Sequence, residues 1–266
     1  MAKIVWSSRN GVDMDHIGLG ALVEAPDFSV SSTSIKLSFS SKNYAQFTGS
    51  GIKVKTQGGS LVDVTAGTMT GLKVVANGVT GLEISGIRVS AAAIADTIFD
   101  DDDDDFLDLI TAGNDTITGT RSADVLIGGR GNDTLKGEGG NDELIGGAGA
   151  DKLYGGAGAD TFVFESTRDS TLAARGQDTI YGFSRVQRDQ IDLSEIDANI
   201  RLSGDQSFAF IGQKAFSGAA GELRFEKTAS GTFVYGDTNG DKRADIAIHL
   251  DKAITLAAKD FILFDF

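Results

Sequence analysis

Large apolar residues recur every nine residues through the middle of the chain. They occupy positions 117, 126, 135, 144, 153 and 162, and polar residues or glycines surround most of them. Neither the 3.6-residue period of an amphipathic helix nor the two-residue alternation of a long strand gives this spacing. It predicts a repeat in which each unit supplies one short strand with a single apolar residue facing inward.

Short apolar runs separated by glycine or Thr-Gly steps flank this repeat and predict further strands. Before the repeat they are Ile52–Lys55, Leu61–Val64, Leu72–Val75 and Leu82–Ile84, and after it they are Ala209–Ile211, Leu223–Glu226, Thr232–Tyr235 and Ala244–Leu250. The pattern therefore predicts an all-β protein.

Aspartates follow the same nine-residue period, two positions before each apolar residue. They are Asp115, Asp124, Asp133, Asp142, Asp151 and Asp160, and Asp178 lies eighteen residues further on. Glycines precede most aspartates by two residues (Gly113, Gly131, Gly140, Gly149, Gly158) and by five (Gly119, Gly128, Gly137, Gly146, Gly155). Glycine at these positions permits tight turns whose carbonyl groups point inward.

This arrangement predicts calcium binding. Nine residues form half a coil, so loops eighteen residues apart stack, with Asp115, Asp133 and Asp151 on one side and Asp124, Asp142 and Asp160 on the other. Calcium takes six to eight oxygen ligands, which carboxylates and carbonyls of successive loops can supply. A glycine-rich solenoid without calcium is the alternative, but one apolar residue in nine makes a thin core and its aspartates would repel one another.

The repeat resembles the RTX (repeats-in-toxin) family, and the resemblance covers about Thr111 to Phe164. It implies a parallel β-roll that forms on binding calcium, with about four or five ions if Asp178 adds a site beyond a looped-out segment, Glu165–Arg175. Thr120, Ser122 and Glu138 depart from the glycine consensus. The loop around Ser122 is therefore the weakest predicted site.

The segments Gln177–Ser184 and Asp189–Ser194 resemble the C-terminal domain of serralysin-type secreted metalloproteases, in which this region closes the roll. Oxygen-bearing side chains alternate further on, at Asp237, Asn239, Asp241 and Asp245. This spacing resembles an EF-hand or dockerin calcium loop and equally fits an Asp/Asn-rich turn between two strands. The two interpretations stay open from the sequence.

The formal net charge of −14 makes nucleic acid and anionic lipid poor partners for this chain. Cysteine is absent, so the sequence contains no disulfide framework. No apolar run reaches the roughly 18 residues of a membrane span. Residues Met1–Asn10 also lack the apolar core of a cleaved secretory signal.

Residues Lys259–Phe266 combine an acidic residue with a short apolar cluster. This resembles the uncleaved C-terminal signal of type I secretion, although an ordinary last strand has the same pattern. The resemblance implies a protein secreted from a Gram-negative bacterium, with the type I secretion machinery as a partner.

The sequence predicts four regions. They are a β-rich N-terminal module at 1–95, an acidic linker or short helix at 96–109 that contains Asp100–Asp105, a calcium-binding roll at 110–183, and a serralysin-like β segment with the secretion signal at 184–266.

Known enzyme motifs are missing from the sequence. His16 and His249 are the only histidines and form no His-Glu-x-x-His zinc site, and no Gly-x-Ser-x-Gly nucleophile elbow occurs. A carboxylate pair for sugar hydrolysis stays open, because 38 acidic residues offer many pairs. The favoured hypothesis is an exported, non-enzymatic calcium-binding protein that contacts polysaccharide or a cell surface. The alternative is a carbohydrate-active enzyme or an accessory module of one.

Overall fold

Nearly all regular structure in the described part of the chain is β-strand. The computed structural model describes residues 3–6, 27–31, 34–40, 43–57, 60–76, 79–90 and 111–264. Helical turns in these ranges are limited to two 3-10 segments, Ala174–Gly176 and Ala258–Asp260. The predicted all-β class is confirmed. The predicted acidic linker or short helix at 96–109 lies outside the described residues.

The N-terminal strands form an antiparallel array in the order β1-β6-β5-β4-β3-β2. Their bounds are β1 Lys3–Trp6, β2 Asp27–Ser31, β3 Ser34–Ser40, β4 Asn43–Gln57, β5 Ser60–Ala76 and β6 Val79–Ser90. The prediction of short strands here was wrong, since Leu61–Val64 and Leu72–Val75 both lie within β5. The glycine-containing segment between these two runs includes a shift in strand register near Met69, and the chain does not reverse direction there.

Eight three-residue strands form the repeat region. They are β7 Thr116–Thr118, β8 Val125–Ile127, β9 Thr134–Lys136, β10 Glu143–Ile145, β11 Lys152–Tyr154, β12 Thr161–Val163, β13 Thr179–Tyr181 and β14 Gln190–Asp192. Odd-numbered strands pair in parallel in one sheet, hereafter the first sheet, and even-numbered strands pair in parallel in the second sheet. Leu135 lies beside Leu153 in this register, which confirms the coil of eighteen residues.

The middle residue of every short strand points between the two sheets. These residues are fully buried: Ile117, Leu126, Leu135, Leu144, Leu153, Phe162, Ile180 and Ile191. Through these middle residues, each coil contributes two large side chains to the interior. Burial of one such side chain stabilises a fold by about 1.5–3 kcal/mol, so the interior of each coil is modest.

Later strands continue both sheets. They are β15 Ala209–Gly212, β16 Glu222–Thr228, β17 Gly231–Asp237, β18 Ile246–Leu250 and β19 Phe261–Ile262. β18 pairs with β13, and β19 pairs with β14, both in parallel. At the other end of the roll, β1 pairs in parallel with β7. The predicted C-terminal strands are present within about two residues, while the boundary at residue 183 stays a prediction.

Candidate functional site

The repeat aspartates form two ladders of hydrogen bonds, one on each side of the roll. Within each ladder, the Oδ1 atom of an aspartate accepts the backbone N–H of the aspartate one coil earlier. Asp133 accepts from Asp115 at 2.6 Å, and Asp151 accepts from Asp133 at 2.7 Å. On the other side, Asp142 accepts from Asp124 at 2.9 Å. The predicted division into two sides is present in the structure.

The second carboxylate oxygen of these aspartates has a different environment. The Oδ2 atoms are buried and have no hydrogen-bond partner in Asp133, Asp142, Asp151, Asp160 and Asp178. Each of the five residues is at most 2% exposed. Buried carboxylate oxygens without a donor are rare, since desolvation is then uncompensated. A row of five indicates sites built for cations.

Glycine creates the space in which these oxygens converge. A Cβ atom on Gly128 would lie 2.5 Å from the Gly146 carbonyl oxygen and 2.9 Å from Asp133 Oδ2. A Cβ atom on Gly146 would lie 2.7 Å from Asp151 Oδ2 and 3.1 Å from Asp178 Oδ2. Any larger residue would fill this space. Each gap between stacked loops therefore offers carboxylate and carbonyl oxygens, the donor set that calcium prefers.

Burial raises the pKa of the aspartates in these ladders. The pKa rises to about 7 for Asp133 and Asp142, to about 8 for Asp151 and to about 9 for Asp178. Desolvation is the largest cause in each case, and neighbouring aspartates add to it. Hydrogen bonds from backbone amides lower the same pKa values but do not offset the desolvation.

Asp178 extends the ladder that contains Asp133 and Asp151. Its Oδ1 atom accepts the Asp151 N–H at 2.9 Å, across 27 residues of sequence. Stacked aspartates earlier in this ladder are 18 residues apart, so this interval is nine residues longer. The predicted looped-out segment, Glu165–Arg175, accounts for the extra length. In the described residues, this segment contains only the short 3-10 turn as a regular element.

Asp189 extends the other ladder and was not predicted from the sequence. Its Oδ1 atom accepts the Asp160 N–H at 3.2 Å, and its Oδ2 atom accepts the Ser184 N–H at 2.8 Å. Burial raises its pKa to about 6. The signal that could have identified Asp189 is Ile191, which keeps the apolar residue two positions after the aspartate.

Asp124 differs from the other repeat aspartates. Its Oδ2 atom accepts the Thr120 N–H at 2.5 Å and the Thr120 hydroxyl at 3.0 Å. Thr120 is one of the departures from the glycine consensus. Its hydrogen bonds engage the carboxylate that would otherwise face the gap. That this loop holds the weakest site stays a prediction.

The loop between β17 and β18 holds the other predicted calcium ligands, and its oxygens are engaged by donors within the loop. Asp237 accepts the N–H groups of Asn239, Gly240 and Lys242. Asp245 accepts from the Thr238 N–H and from the Asn239 amide. This is the hydrogen bonding of an Asx-type turn. Calcium binding by Asp237, Asn239, Asp241 and Asp245 stays a prediction.

No group of three or more His, Cys, Asp or Glu side chains in the described ranges is arranged to hold a metal ion. The repeat gaps combine carboxylates from two coils with backbone carbonyls, so side chains alone do not define them. The described residues also include no helix long and apolar enough to cross a membrane.

Two solved structures are similar to part of this chain. One is the AlgE6R3 subunit of the Azotobacter vinelandii mannuronan C5-epimerase, at 28% identity and a TM-score of 0.42, covering 57% of this chain and 79% of that chain. The AlgE6R2 subunit of the same enzyme has 29% identity and a TM-score of 0.42, covering 57% and 88%. No curated protein matches the chain.

The sequence from 110 to 263 matches the family described as "Peptidase M10 serralysin C terminal". The matched segment runs from the residue before the first described loop, through both aspartate ladders, to the residue after β19. Domains of this family are calcium-binding RTX β-rolls and are typically secreted. Since the match spans more than half of the chain, this protein belongs to the serralysin C-terminal family.

Proposed function

We propose that this protein is an exported, non-enzymatic calcium-binding protein whose roll folds when its aspartates bind calcium outside the cell. The observation that carries the proposal is the row of buried, unpartnered Oδ2 atoms. The sites exist only in the folded chain, so the free energy of calcium binding contributes directly to the free energy of folding. Calcium therefore acts as a ligand that drives folding.

The ladders define six gaps between stacked aspartates, three on each side. One side comprises Asp115, Asp133, Asp151 and Asp178, and the other comprises Asp124, Asp142, Asp160 and Asp189. We infer a site in each gap, with the gap between Asp124 and Asp142 the weakest because Thr120 engages Asp124. The Oδ2 atoms of these carboxylates face the space that is lined by glycine. Calcium bound in this space would neutralise their charge.

Calorimetric titration of the full chain with calcium tests this assignment. We expect five strong sites and one weaker site, with a large negative heat-capacity change because the chain folds as it binds. Binding of fewer than two ions would contradict the assignment to the ladders.

Export before folding is supported by the position of the candidate secretion signal, Lys259–Phe266. In the folded chain, Phe261 and Leu263 are at most 9% exposed, and β19 is paired with β14. Asp260 is buried and forms an ion pair with Arg185 Nε at 2.7 Å. Folding therefore hides Asp260, Phe261 and Leu263 from a receptor, and we infer that these residues are read before the roll closes. Export of the full chain by a type I system, compared with a chain lacking 259–266, tests the signal.

The biological role we propose is contact with extracellular polysaccharide or a cell surface, with the N-terminal strands as one part of the contact. A glycan array combined with a turnover assay on the full, calcium-loaded chain tests it. Binding without turnover supports the role, and release of shortened sugars would favour a carbohydrate-active enzyme.

Substitution of Asp189 by alanine is expected to remove one calcium site. The change removes one ladder carboxylate and the acceptor of the Asp160 N–H. Calorimetry should show one ion fewer and little change at the remaining sites. Asp205→Ala is the control, since Asp205 is an exposed acidic residue outside the ladders. An unchanged ion count in Asp189→Ala would exclude a site at this gap.

The calcium-free roll is expected to lose stability as the pH rises through the range in which its buried aspartates ionise. The raised pKa values mean that the calcium-free folded roll binds more protons than the unfolded chain, whose aspartates titrate near 3.8. Ionisation of the aspartates therefore destabilises the calcium-free roll progressively from about pH 4 to pH 9. Circular dichroism of the chain in chelator should show the most β structure at the acid end of this range, and a signal that does not change with pH would contradict the burial of these carboxylates.

A further inference from the structure

The outward face of the first sheet carries a group of aromatic rings that the calcium sites do not use. It spans strands β9, β11, β13, β18, β17 and β16, which lie side by side in that order. At the strand spacing of about 4.8 Å, this face is roughly 24 Å wide. We define the ring face as Lys136, Lys152, Tyr154, Tyr181, Arg224, Phe233, Tyr235 and His249.

The rings on this face are stacked in two sets. Tyr154 and Tyr181, on neighbouring strands, have centroids 4.5 Å apart and planes inclined by 7°. Phe233 stacks on His249 at 4.6 Å and lies nearly parallel to Tyr235 at 6.1 Å. The His249 ring also contacts the Thr179 hydroxyl at 3.3 Å, and Thr179 lies on the same strand as Tyr181. The two sets are therefore parts of one surface.

These rings are not part of the hydrophobic core. On the same strands, Leu153, Ile180 and Val234 are at most 1% exposed, whereas the tyrosines, Phe233 and His249 are only half-buried. Aromatic side chains that combine an apolar ring with a polar group are frequent where proteins bind amphipathic ligands.

The charge of the ring face is opposite to that of the chain. Lys136 and Lys152 are exposed, and Arg224 lies 5.7 Å from the centre of the Tyr235 ring. Three acidic residues lie at outward positions of these six strands, Glu222, Glu226 and Asp237. Only Glu226 is exposed, and it lies 3.7 Å from Arg224, whereas Glu222 and Asp237 are buried. On the second sheet, by contrast, outward positions of β10 and β14 carry the acidic residues Glu143 and Asp192. In a chain of net charge −14, this face is a local cationic surface.

We propose that the ring face binds an extended anionic polysaccharide. A sugar ring has an apolar C–H face and a polar rim, which match the half-buried rings and the tyrosine hydroxyl groups. Carboxylate groups on such a chain pair with the lysines and with the fork of Arg224. The sheet suits a linear polymer, because neighbouring strands present contact groups at regular intervals across its width.

This surface rests on the proposed calcium-coupled folding. Tyr154 and Tyr181 are 27 residues apart and become neighbours only when coils stack. Lys136 and Tyr154 are neighbours across strands in the same way. Polysaccharide binding should therefore require calcium even though calcium does not contact the sugar.

The test measures binding of short polygalacturonate and hyaluronate oligosaccharides to the full, calcium-loaded chain, with neutral dextran as the uncharged comparison. The variants are Tyr154→Ala with Tyr181→Ala, and Lys136→Glu with Lys152→Glu. We expect each pair to lower affinity at least about tenfold, and the lysine pair to weaken the salt dependence. Arg201→Glu with Lys259→Glu is the matched control, since both residues are exposed and lie elsewhere.

Several outcomes would overturn the proposal: no binding of either acidic oligosaccharide, equal binding of dextran, or an equal loss in the control pair. Circular dichroism and calcium stoichiometry on the same samples separate this proposal from the folding switch. If the roll folds without calcium and the ring-face variants still lose binding, the switch fails and the ring face stands.

Discussion

Removing calcium from the full chain at about pH 8 is expected to abolish the parallel roll. At that pH Asp133 and Asp142, whose pKa values are about 7, would be ionised while buried, and about half of Asp151 would be. The Oδ2 atoms of these three aspartates have no protein donor. An uncompensated buried charge typically costs about 3–5 kcal/mol, and a domain is stable by only about 5–15 kcal/mol. Two or three such charges would cost about 6–15 kcal/mol, which is as large as that margin.

Far-ultraviolet circular dichroism during calcium titration measures this effect. The β-sheet signal should grow cooperatively with calcium and disappear on addition of a chelator. Magnesium is the control ion, since it prefers octahedral geometry and retains its water, so it should restore little structure. Equal β-sheet signals with calcium and with chelator would refute the folding switch.

The nine-residue period predicted the roll well because the same repeated residues determine its turns, its strands and the stacking of its coils. An aspartate, an apolar residue and glycines at constant offsets determine the turn, the strand and the stacking partner together. Leu135 and Leu153 therefore pair as the spacing requires. Local sequence is sufficient here because each coil contacts mainly its neighbours.

Prediction was weaker where the period is interrupted. Asp178 and Asp189 reach their stacking partners across 27 and 29 residues, because segments of unequal length are inserted before them. The nine-residue period does not give the length of an inserted segment. After an insertion, a repeat loop has to be recognised from its own aspartate and from the apolar residue two positions after that aspartate. Asp178 was predicted from its eighteen-residue interval from Asp160 together with Gly176 and Ile180, but it stacks on Asp151 in the other ladder. Asp189 was missed although Ile191 follows it by two residues.

Two further features could not be read from the sequence. In β5, a glycine-containing step between two apolar runs looks like a turn, but the strand continues through a register shift. The loop Asp237–Asp245 has a composition shared by calcium loops and Asx turns. Its hydrogen bonds depend on side-chain rotamers and on the strands that hold both ends, which composition does not determine.

Asp133→Ala and Asp142→Ala are expected to be among the most damaging single substitutions in the two ladders, together with changes at the other inner members, Asp151 and Asp160. Asp133 borders two gaps, because its Oδ1 atom accepts from Asp115 and its own N–H donates to Asp151. Asp142 is placed in the same way between Asp124 and Asp160. Loss of either carboxylate removes a ligand from two sites at once, so calorimetry should show two ions fewer.

The half-saturating calcium concentration for folding should also rise at least about tenfold in each variant, which corresponds to about 1.4 kcal/mol. Asp133→Asn separates the two roles of the carboxylate, since the amide oxygen still accepts the Asp115 N–H while the charge is lost. If charge toward the ion dominates, Asn and Ala will be equally damaging. If the ladder hydrogen bond dominates, Asn will retain most of the affinity, and the Oδ2 row will not be the main source of calcium binding.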